Sequence, residues 1–433
     1  TLTLTLTPPQ TLTLTLTHPL TNSFVHYMDY VRDGGNPNSE PDAEWVVILP
    51  MVKSAFSAMA ATEHVTEQEG PMEWIVTGAS KRGWTSWLVG AVDTKREEKE
   101  RRVQGIAPIV LDGLSFDDTL HMHWGAYGEW SFTMRAFVDA GFTGRLDSPE
   151  IVSLWALIDP LSYVERYKGL PKLVSDGTGD EWFLPDDSKY WIDAMQANGP
   201  LSLSMYADAD HSMATALPAL IPTLGSFALN TLQKAPWPEM AWTMDLEAGT
   251  IVATVDPKYD EIKHTVTLWR TRTCAKGDRP RRDFRLINWD VANTGECACG
   301  IALDDTSCLN ARTGFWTNST LAPDLSADPT GHTYVAQVDI PPRAAQEWIA
   351  FFVEVKFHGV APDVVGAGEL GGEGAVQDEE QYCTGHRHVL DRSRCLPRVN
   401  NGDALLSTQV GIVPDYLPYQ CYGSGCTGSG NYV

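Results

Sequence analysis

The segment EWIVTGASKRGWTSWLVGAVD, residues 73–93, constrains this chain more than any other stretch. EWIVTGAS is a short apolar run that ends in glycine and a small residue, which predicts a buried strand. WTSWLVGAVDTKREEKERR predicts a helix that becomes strongly charged at its end, and VQGIAPIVL predicts a second buried strand. Strand, helix and strand in this order imply a parallel α/β sheet. A strand that turns at once into a helix brings two backbones close together, which accounts for Gly78 and Gly83. The apex residue, Ser80, is then held in a strained conformation, exposed beside the free N–H groups and positive dipole end of the new helix. A serine so placed can attack a carbonyl. The spacing is G-x-S-x-x-G, with Arg82 where the commoner G-x-S-x-G pattern has a small residue. The competing reading of Ser80 is a small residue at a tight turn.

A serine nucleophile needs a base, and the base needs an orienting carboxylate. On a fold of this kind the order is serine, acid, histidine, each just past a strand end. LPKLVSDGTGDEWF predicts a third strand and LSLSMYADADHS a fourth, so Asp180 and His211 occupy the two following loops. Asp176 and Asp186 compete with Asp180, and either Asp186 or His211 could serve as a cap-region residue. Order and placement together favour Ser80, Asp180 and His211 as a converging triad, with the Lys81 backbone N–H as an oxyanion donor.

The remaining chain divides by pattern. Residues 1–17 alternate Thr and Leu around Pro-Pro. Their period of two suits an extended segment with one leucine face, against the alternative of a low-complexity tether. Residues 20–237 carry the α/β pattern, and 112–170 read as an aromatic-rich helical insertion above the sheet. Its His121, His123, Trp124, Tyr127 and Trp130 are expected to shape a substrate pocket, or else to form the core of a lid. From residue 238, runs such as EAGTIVATVD, HTVTLWRTRT, RRDFRLINWDV, TYVAQVDI and WIAFFVEVKF alternate as short strands. That spacing predicts an antiparallel β-sandwich interrupted by a Gly-rich insertion at 361–403.

The formal net charge of −24 argues against nucleic acid or an anionic membrane as the main partner. No apolar run approaches the roughly 20 residues of a membrane span, and no secretory signal opens the chain. All eight cysteines lie at or beyond position 274: Cys274, Cys297, Cys299, Cys308, Cys383, Cys395, Cys421 and Cys426. An even number in a loop-rich region predicts disulfides in an oxidising compartment. The expected pairs lie within the group 274–308, between Cys383 and Cys395, and between Cys421 and Cys426, because short closures cost least chain entropy. Zinc is the alternative, but C-A-C lacks the usual knuckle gap and no His pair completes it. No metal or other cofactor is expected. Asn318-Ser319-Thr320 is a glycosylation acceptor in a secreted chain.

At VTGASKRGWTSWLVGAVD (76–93), GTGDEWFLPDDSKYW (177–191), DADHS (208–212) and RDFRL (282–286) the sequence resembles the PhoPQ-activated pathogenicity-related family. LPMVKSAFSAM (49–59), YGEWSF (127–132), DPLSY (159–163) and VGIVPDYLP (410–418) extend the resemblance over most of residues 20–420. It implies an α/β-hydrolase-like fold with a β-rich C-terminal region, and it assigns Ser80 as nucleophile, Asp180 as acid and His211 as base. The elbow is also similar to that of glucuronoyl esterases, where a cation follows the serine; Lys81 holds that place here. Family members carry a longer N-terminal part, with the first strands of the sheet and a loop that donates half the oxyanion hole. The sheet is therefore expected to show an open edge, covered by the Thr-Leu segment.

The expectation is a secreted hydrolase-like protein that cleaves a small ester or peptide through an acyl-enzyme. The rival is a non-catalytic extracellular signalling or structural assembly protein, with a protein partner, that retains the fold.

Overall fold

A computed structural model describes residues 19–37, 44–67, 70–273, 280–288, 301–302, 308–309, 315–361 and 402–419. The Thr-Leu segment, all but the ends of the 361–403 insertion, and seven of the cysteines lie outside the described residues. Of Cys308 only the backbone is described, so the expected disulfides lie outside as well.

Helices α1 (Pro19–Arg32) and α2 (Ile48–Val65) precede the first strand, β1 (Trp74–Ala79). Helix α3 (Lys81–Asp93) connects it to β2 (Val103–Ile109). Helices α4 (Phe116–Tyr127), α5 (Arg135–Asp139) and α6 (Pro149–Ile158), with short 3₁₀ turns, fill the connection to β3 (Lys172–Gly177). Helix α7 (Ile192–Ala197) leads to β4 (Leu201–Tyr206), and α8 (Leu217–Gln233) follows. Strands β1 to β4 are parallel neighbours in sequence order. This is the α/β sheet with a helical insertion that the strand–helix–strand pattern predicts. Among the described residues β1 is the sheet edge. Thr77 and Ala79 are accordingly exposed, where EWIVTGAS alone predicts a fully buried strand.

The later strands are antiparallel: β5 (Met240–Asp245), β6 (Thr250–Val255), β7 (His264–Arg272), β8 (Ile287–Asn288), β9 (Ile301–Ala302), β10 (Cys308–Leu309), β11 (Thr317–Thr320), β12 (Thr333–Gln337), β13 (Ile349–Phe357), β14 (Ala404–Ser407) and β15 (Gly411–Val413). Strands β12, β6 and β5 form a separate sheet. It packs face to face on the strands around β13: Ile251, Ala253, Val255 and Ala336 meet Val353, Val355 and Phe357 in one buried cluster. One leaf of this sandwich is, however, the continuation of the parallel sheet, whose order runs β1-β2-β3-β4-β14-β13-β7-β11. The junction between β4 and β14 rests on one register pair, Leu203 with Ser407. Two hydroxyls complete it. Ser204 Oγ donates to the Leu405 carbonyl at 2.7 Å, and the Met205 N–H donates to Ser407 Oγ at 3.0 Å. Strands β14, β13, β7 and β11 thus continue the parallel sheet with reversed direction, whereas β5 and β6, which directly follow residue 238, lie in the separate sheet.

Residues alternate between the two faces as the pleat demands. Ile106, Val174 and Leu203 join the core beneath α1–α7. Ala107 and Leu173 face the opposite side, where Phe227 of α8 covers them.

RDFRL, expected within a sandwich strand, is a buried clamp instead. Both of its arginines are 1% exposed, and a charge at that depth needs a partner. Arg282 makes a two-pronged ion pair with Asp186, which Lys189 also contacts at 3.1 Å. Burial alone would raise the Asp186 pKa, but Arg282 and Lys189 hold it below the usual value. Arg285 pairs with Asp283 at 2.6 Å and 2.9 Å and stacks 4.1 Å above the Tyr127 ring. The segment's backbone bonds to both sides: the Arg282 N–H to the Ala126 carbonyl at 3.0 Å, the Leu286 N–H to the Gly179 carbonyl at 2.9 Å. It thereby ties the helical insertion to the loop after β3.

Replacing Arg282 with Ala leaves the buried Asp186 carboxylate short of its main partner. The expected cost in urea unfolding is about 3–5 kcal/mol. Replacing both partners with leucine (Arg282→Leu with Asp186→Leu) is expected to recover most of that loss, because no charge is then stranded.

Candidate active site

The elbow between β1 and α3 is built by steric exclusion. Ser80 has φ 57° and ψ −128°, a conformation that costs a non-glycine residue about 1–3 kcal/mol. Its N–H donates to the Ile109 carbonyl at 2.9 Å, which pins the turn to β2. That same carbonyl oxygen would lie 2.8 Å from a Cβ at position 83, and the Arg82 carbonyl 2.8 Å from a Cβ at position 78. Both contacts are too short for a real side chain. The G-x-S-x-x-G spacing is therefore what lets this strand and helix meet. Lys81 is the first residue of α3, so its N–H has no preceding turn to bond to.

The loops after β3 and β4 interlock in the same way. A Cβ at Gly177 would lie 2.4 Å from the Ala209 carbonyl oxygen. The Gly179 N–H donates to that oxygen at 2.9 Å, and the Thr178 N–H to the Tyr206 carbonyl at 3.0 Å. Thr178 Oγ1 accepts the Asp208 N–H at 3.1 Å, so the two loops form one unit.

This unit carries Asp180 and His211 to Ser80. His211 Nε2 lies 2.8 Å from Ser80 Oγ, and His211 Nδ1 lies 2.7 Å from Asp180 Oδ2. The other Asp180 oxygen accepts the N–H groups of Trp182 at 2.6 Å and Phe183 at 3.1 Å, which fixes the carboxylate in place. Of the competing carboxylates, Asp186 is engaged with Arg282, and Asp176 accepts the Gly177 N–H. Burial alone would lower the His211 pKa. The charge and hydrogen bond of Asp180, with the charges of Glu181 and Asp210, outweigh it and raise the pKa above 6.5. Glu181 escaped the sequence reading: its carboxylate accepts the His211 N–H at 3.1 Å, and burial lifts its pKa to about 7.

Beneath the site lies a group of buried carboxyls. Asp112 and Asp176 are both 2% exposed, and Asp112 acts on Asp176 as a like charge. Burial pushes Asp112 up to about 7 and Asp176 well above its usual value. Asp187 is raised in the same way by burial and then by the Asp112 and Asp186 charges. Among the described residues, no group of three or more His, Cys, Asp or Glu could hold a metal ion.

A cavity of about 390 Å³ opens at Ser80 and Lys81. Of the five insertion residues expected to line a pocket, His123 does so, and α4 contributes Phe116, Thr119 and Leu120 beside it. These four positions share one helical face. The other four residues point elsewhere. His121 is at the surface, 3.1 Å from Asp147. Trp124 and Trp130 pack on each other at 5.5 Å, and Tyr127 is buried under Arg285. Burial lowers the His123 pKa to about 3, so its ring is neutral, and Nε2 accepts the Ser131 N–H at 3.0 Å. Asn318 is exposed on β11, hydrogen-bonded into the sheet beside β7.

Comparison with known proteins gives the family. Autocrine proliferation repressor protein A of Dictyostelium discoideum is 30% identical over 319 residues, which cover 72% of this chain and 58% of that protein. The match thus spans less than two thirds of the relative's length. Among solved structures, the Pyrococcus horikoshii acylaminoacyl peptidase is 11% identical with a TM-score of 0.28, over 38% of this chain and 24% of the peptidase. A Mycobacterium tuberculosis puromycin-hydrolysing peptidase is 18% identical with a TM-score of 0.29, over 41% of this chain and 25% of that one. The family described as PhoPQ-activated pathogenicity-related protein matches residues 10–285, well over half of the chain, and this protein belongs to it.

Proposed function

We propose that this protein is a serine hydrolase that cleaves an ester or peptide bond through an acyl-enzyme on Ser80. The observation that carries the reading is the continuous hydrogen-bond series from Ser80 Oγ through His211 to Asp180, at a strained strand–helix turn. His211 Nε2 takes the Ser80 proton as Oγ attacks the carbonyl carbon. Asp180 holds the Nδ1–H tautomer and stabilises the imidazolium that forms. The Lys81 N–H donates to the developing oxyanion, assisted by the N-terminal end of α3. The imidazolium then protonates the leaving group, and His211 next activates the water that releases the acyl group.

A fluorophosphonate probe should label the wild-type protein on Ser80, and the Ser80→Ala variant should stay unlabelled. Silence of the wild type would shift the reading to the alternative, an extracellular signalling protein that retains the fold. That alternative draws on the name of the Dictyostelium relative, a repressor of proliferation.

The pH dependence follows from His211, which must be neutral to act as base. Its pKa is raised above 6.5, so kcat/KM should fall as pH drops through that raised value and level off above it. Asp180→Asn removes the charge that raises the pKa. The acid limb should then move to lower pH and turnover should fall by about 10⁴-fold. An acid limb that Asp180→Asn leaves in place would exclude His211 as the titrating base.

We also propose that the chain is secreted. The eight cysteines confined to the part after residue 273 support this, as does the exposure of Asn318 in its N-S-T triplet. Intact mass should rise on reduction by two hydrogens per bridge; eight free thiols before reduction would contradict the proposal.

A further inference from the structure

The cavity beside Ser80 is lined on one side by a series of aromatic side chains that pack on one another. Phe24 meets Trp84 at 5.6 Å between ring centroids, and Trp84 meets Phe116 at 4.6 Å. Phe116 meets Trp155 at 5.4 Å, Trp155 meets Phe142 at 5.9 Å, and Phe142 returns to Phe24 at 6.1 Å. Phe137 extends the series from Phe142 to Trp182, which packs 6.1 Å from the His211 ring. Such a cluster could be no more than the core of the helical insertion. A core, however, packs to crystal-like density with few voids larger than a water molecule. Here the rings border about 390 Å³ of open space that Ser80 also lines. Apolar lining without filling is the property of a ligand pocket.

The position of the cavity decides which part of a substrate enters it. Ser80 and Lys81 line it, whereas His211 does not. The leaving group must receive its proton from His211 Nε2 and so departs on the imidazole side. The group that stays bonded to the attacked carbon faces the other way, into the cavity. Charge decides what that group is. The carboxyl group within the lining, Asp187, is 1% exposed and held beside Asp112 and Asp186, which favours its neutral form. It offers no fixed anion for a cationic group, and the two cations Lys81 and Arg82 are among the lining residues. A substrate carboxylate would lose its hydration among the aromatic rings.

We propose that this cavity is an acyl pocket, and that the substrate is an ester or amide whose acyl part is a bulky, uncharged aryl-alkyl group. The inference rests on the hydrolase reading of Ser80, His211 and Asp180. The aromatic ring of the substrate packs against the wall formed by Phe24, Trp84, Phe116, Phe142 and Trp155. Its carbonyl lies within reach of Ser80 Oγ and the Lys81 N–H.

The test uses the full chain and p-nitrophenyl esters that share one leaving group and differ only in the acyl part: acetate, 3-phenylpropionate and 6-aminohexanoate. Rates with Ser80→Ala are subtracted as background. The 3-phenylpropionate should exceed the acetate in kcat/KM by roughly 10–200-fold, the range one apolar pocket contact supplies. It should exceed the cationic 6-aminohexanoate as well. Leu120→Trp fills the cavity and should draw the ratio of phenylpropionate to acetate towards one. Leu120→Ala, which enlarges it, should shift preference towards 5-phenylpentanoate. If an ethyl fluorophosphonate labels Ser80 but the acetate or the aminohexanoate is the best ester, the acyl pocket is refuted and the hydrolase reading stands. The pocket is equally refuted if neither Leu120 variant moves the ratio. If neither labelling nor turnover occurs, the hydrolase reading fails and the acyl pocket with it.

Discussion

The site depends on backbones packed too closely for side chains between them. At the C-terminal ends of β1, β3 and β4, carbonyl oxygens occupy the places where Cβ atoms would otherwise sit. The Ile109 carbonyl abuts position 83, and the Ala209 carbonyl abuts position 177. The first contact fixes the elbow against the end of β2, the second fixes the loop after β3 against the loop after β4, and the parallel sheet holds the two sets side by side. Once they are fixed, Ser80, Asp180 and His211 fall within hydrogen-bond reach with little freedom to separate. The strain at Ser80 is held by the Ile109 carbonyl on one side and the first turn of α3 on the other.

A second constraint is electrostatic. Asp112, Asp176, Asp180, Asp186 and Asp187 are all buried around the floor of the site. Five carboxylates cannot all stay ionised in so little volume. The protein divides them. Arg282 and Lys189 neutralise Asp186, and His211 lies against Asp180. Burial leaves Asp112, Asp176 and Asp187 with raised pKa values. The pairing of Arg282 with Asp186 therefore does more than neutralise a charge. It anchors a segment that bonds to Ala126 on one side and to Gly179 on the other, and so links the insertion that walls the cavity to the loop that carries Asp180.

The cavity and the Ser80–His211–Asp180 series meet at Ser80 but are built by different elements. The three residues sit on strand ends, whose positions the sheet sets. Most of the cavity wall comes from α1, α3 and the insertion, which are held by aromatic packing, and the loop after β3 adds Trp182, Phe183 and Asp187. In the proposed hydrolase, the proton-transfer groups would be set by the sheet and the shape of the accepted group by side chains that take no part in proton transfer.

The sequence by itself determined what is local. The strand–turn–helix at 74–93 was legible because the steric demand of a tight turn falls on residues three to five apart. The acid and histidine loops were legible because each follows a strand directly. The pocket was legible only as a region. Aromatic and histidine content marked 112–170, but content does not give the rotation of α4 about its axis. Packing turns Phe116, Thr119, Leu120 and His123 to the cavity, and leaves His121, Trp124, Tyr127 and Trp130 outside it. RDFRL carries an alternation that reads as a strand, and only the buried carboxylates around it reveal a clamp. The tertiary structure alone decided that β14 pairs with β4, about two hundred residues away in sequence, so that the parallel and antiparallel halves share one sheet. A strand's pattern records which of its faces is buried, because burial is a property of its own side chains. Its partner is chosen by backbone hydrogen bonds that every sequence can make, and so leaves almost no trace in the residues themselves.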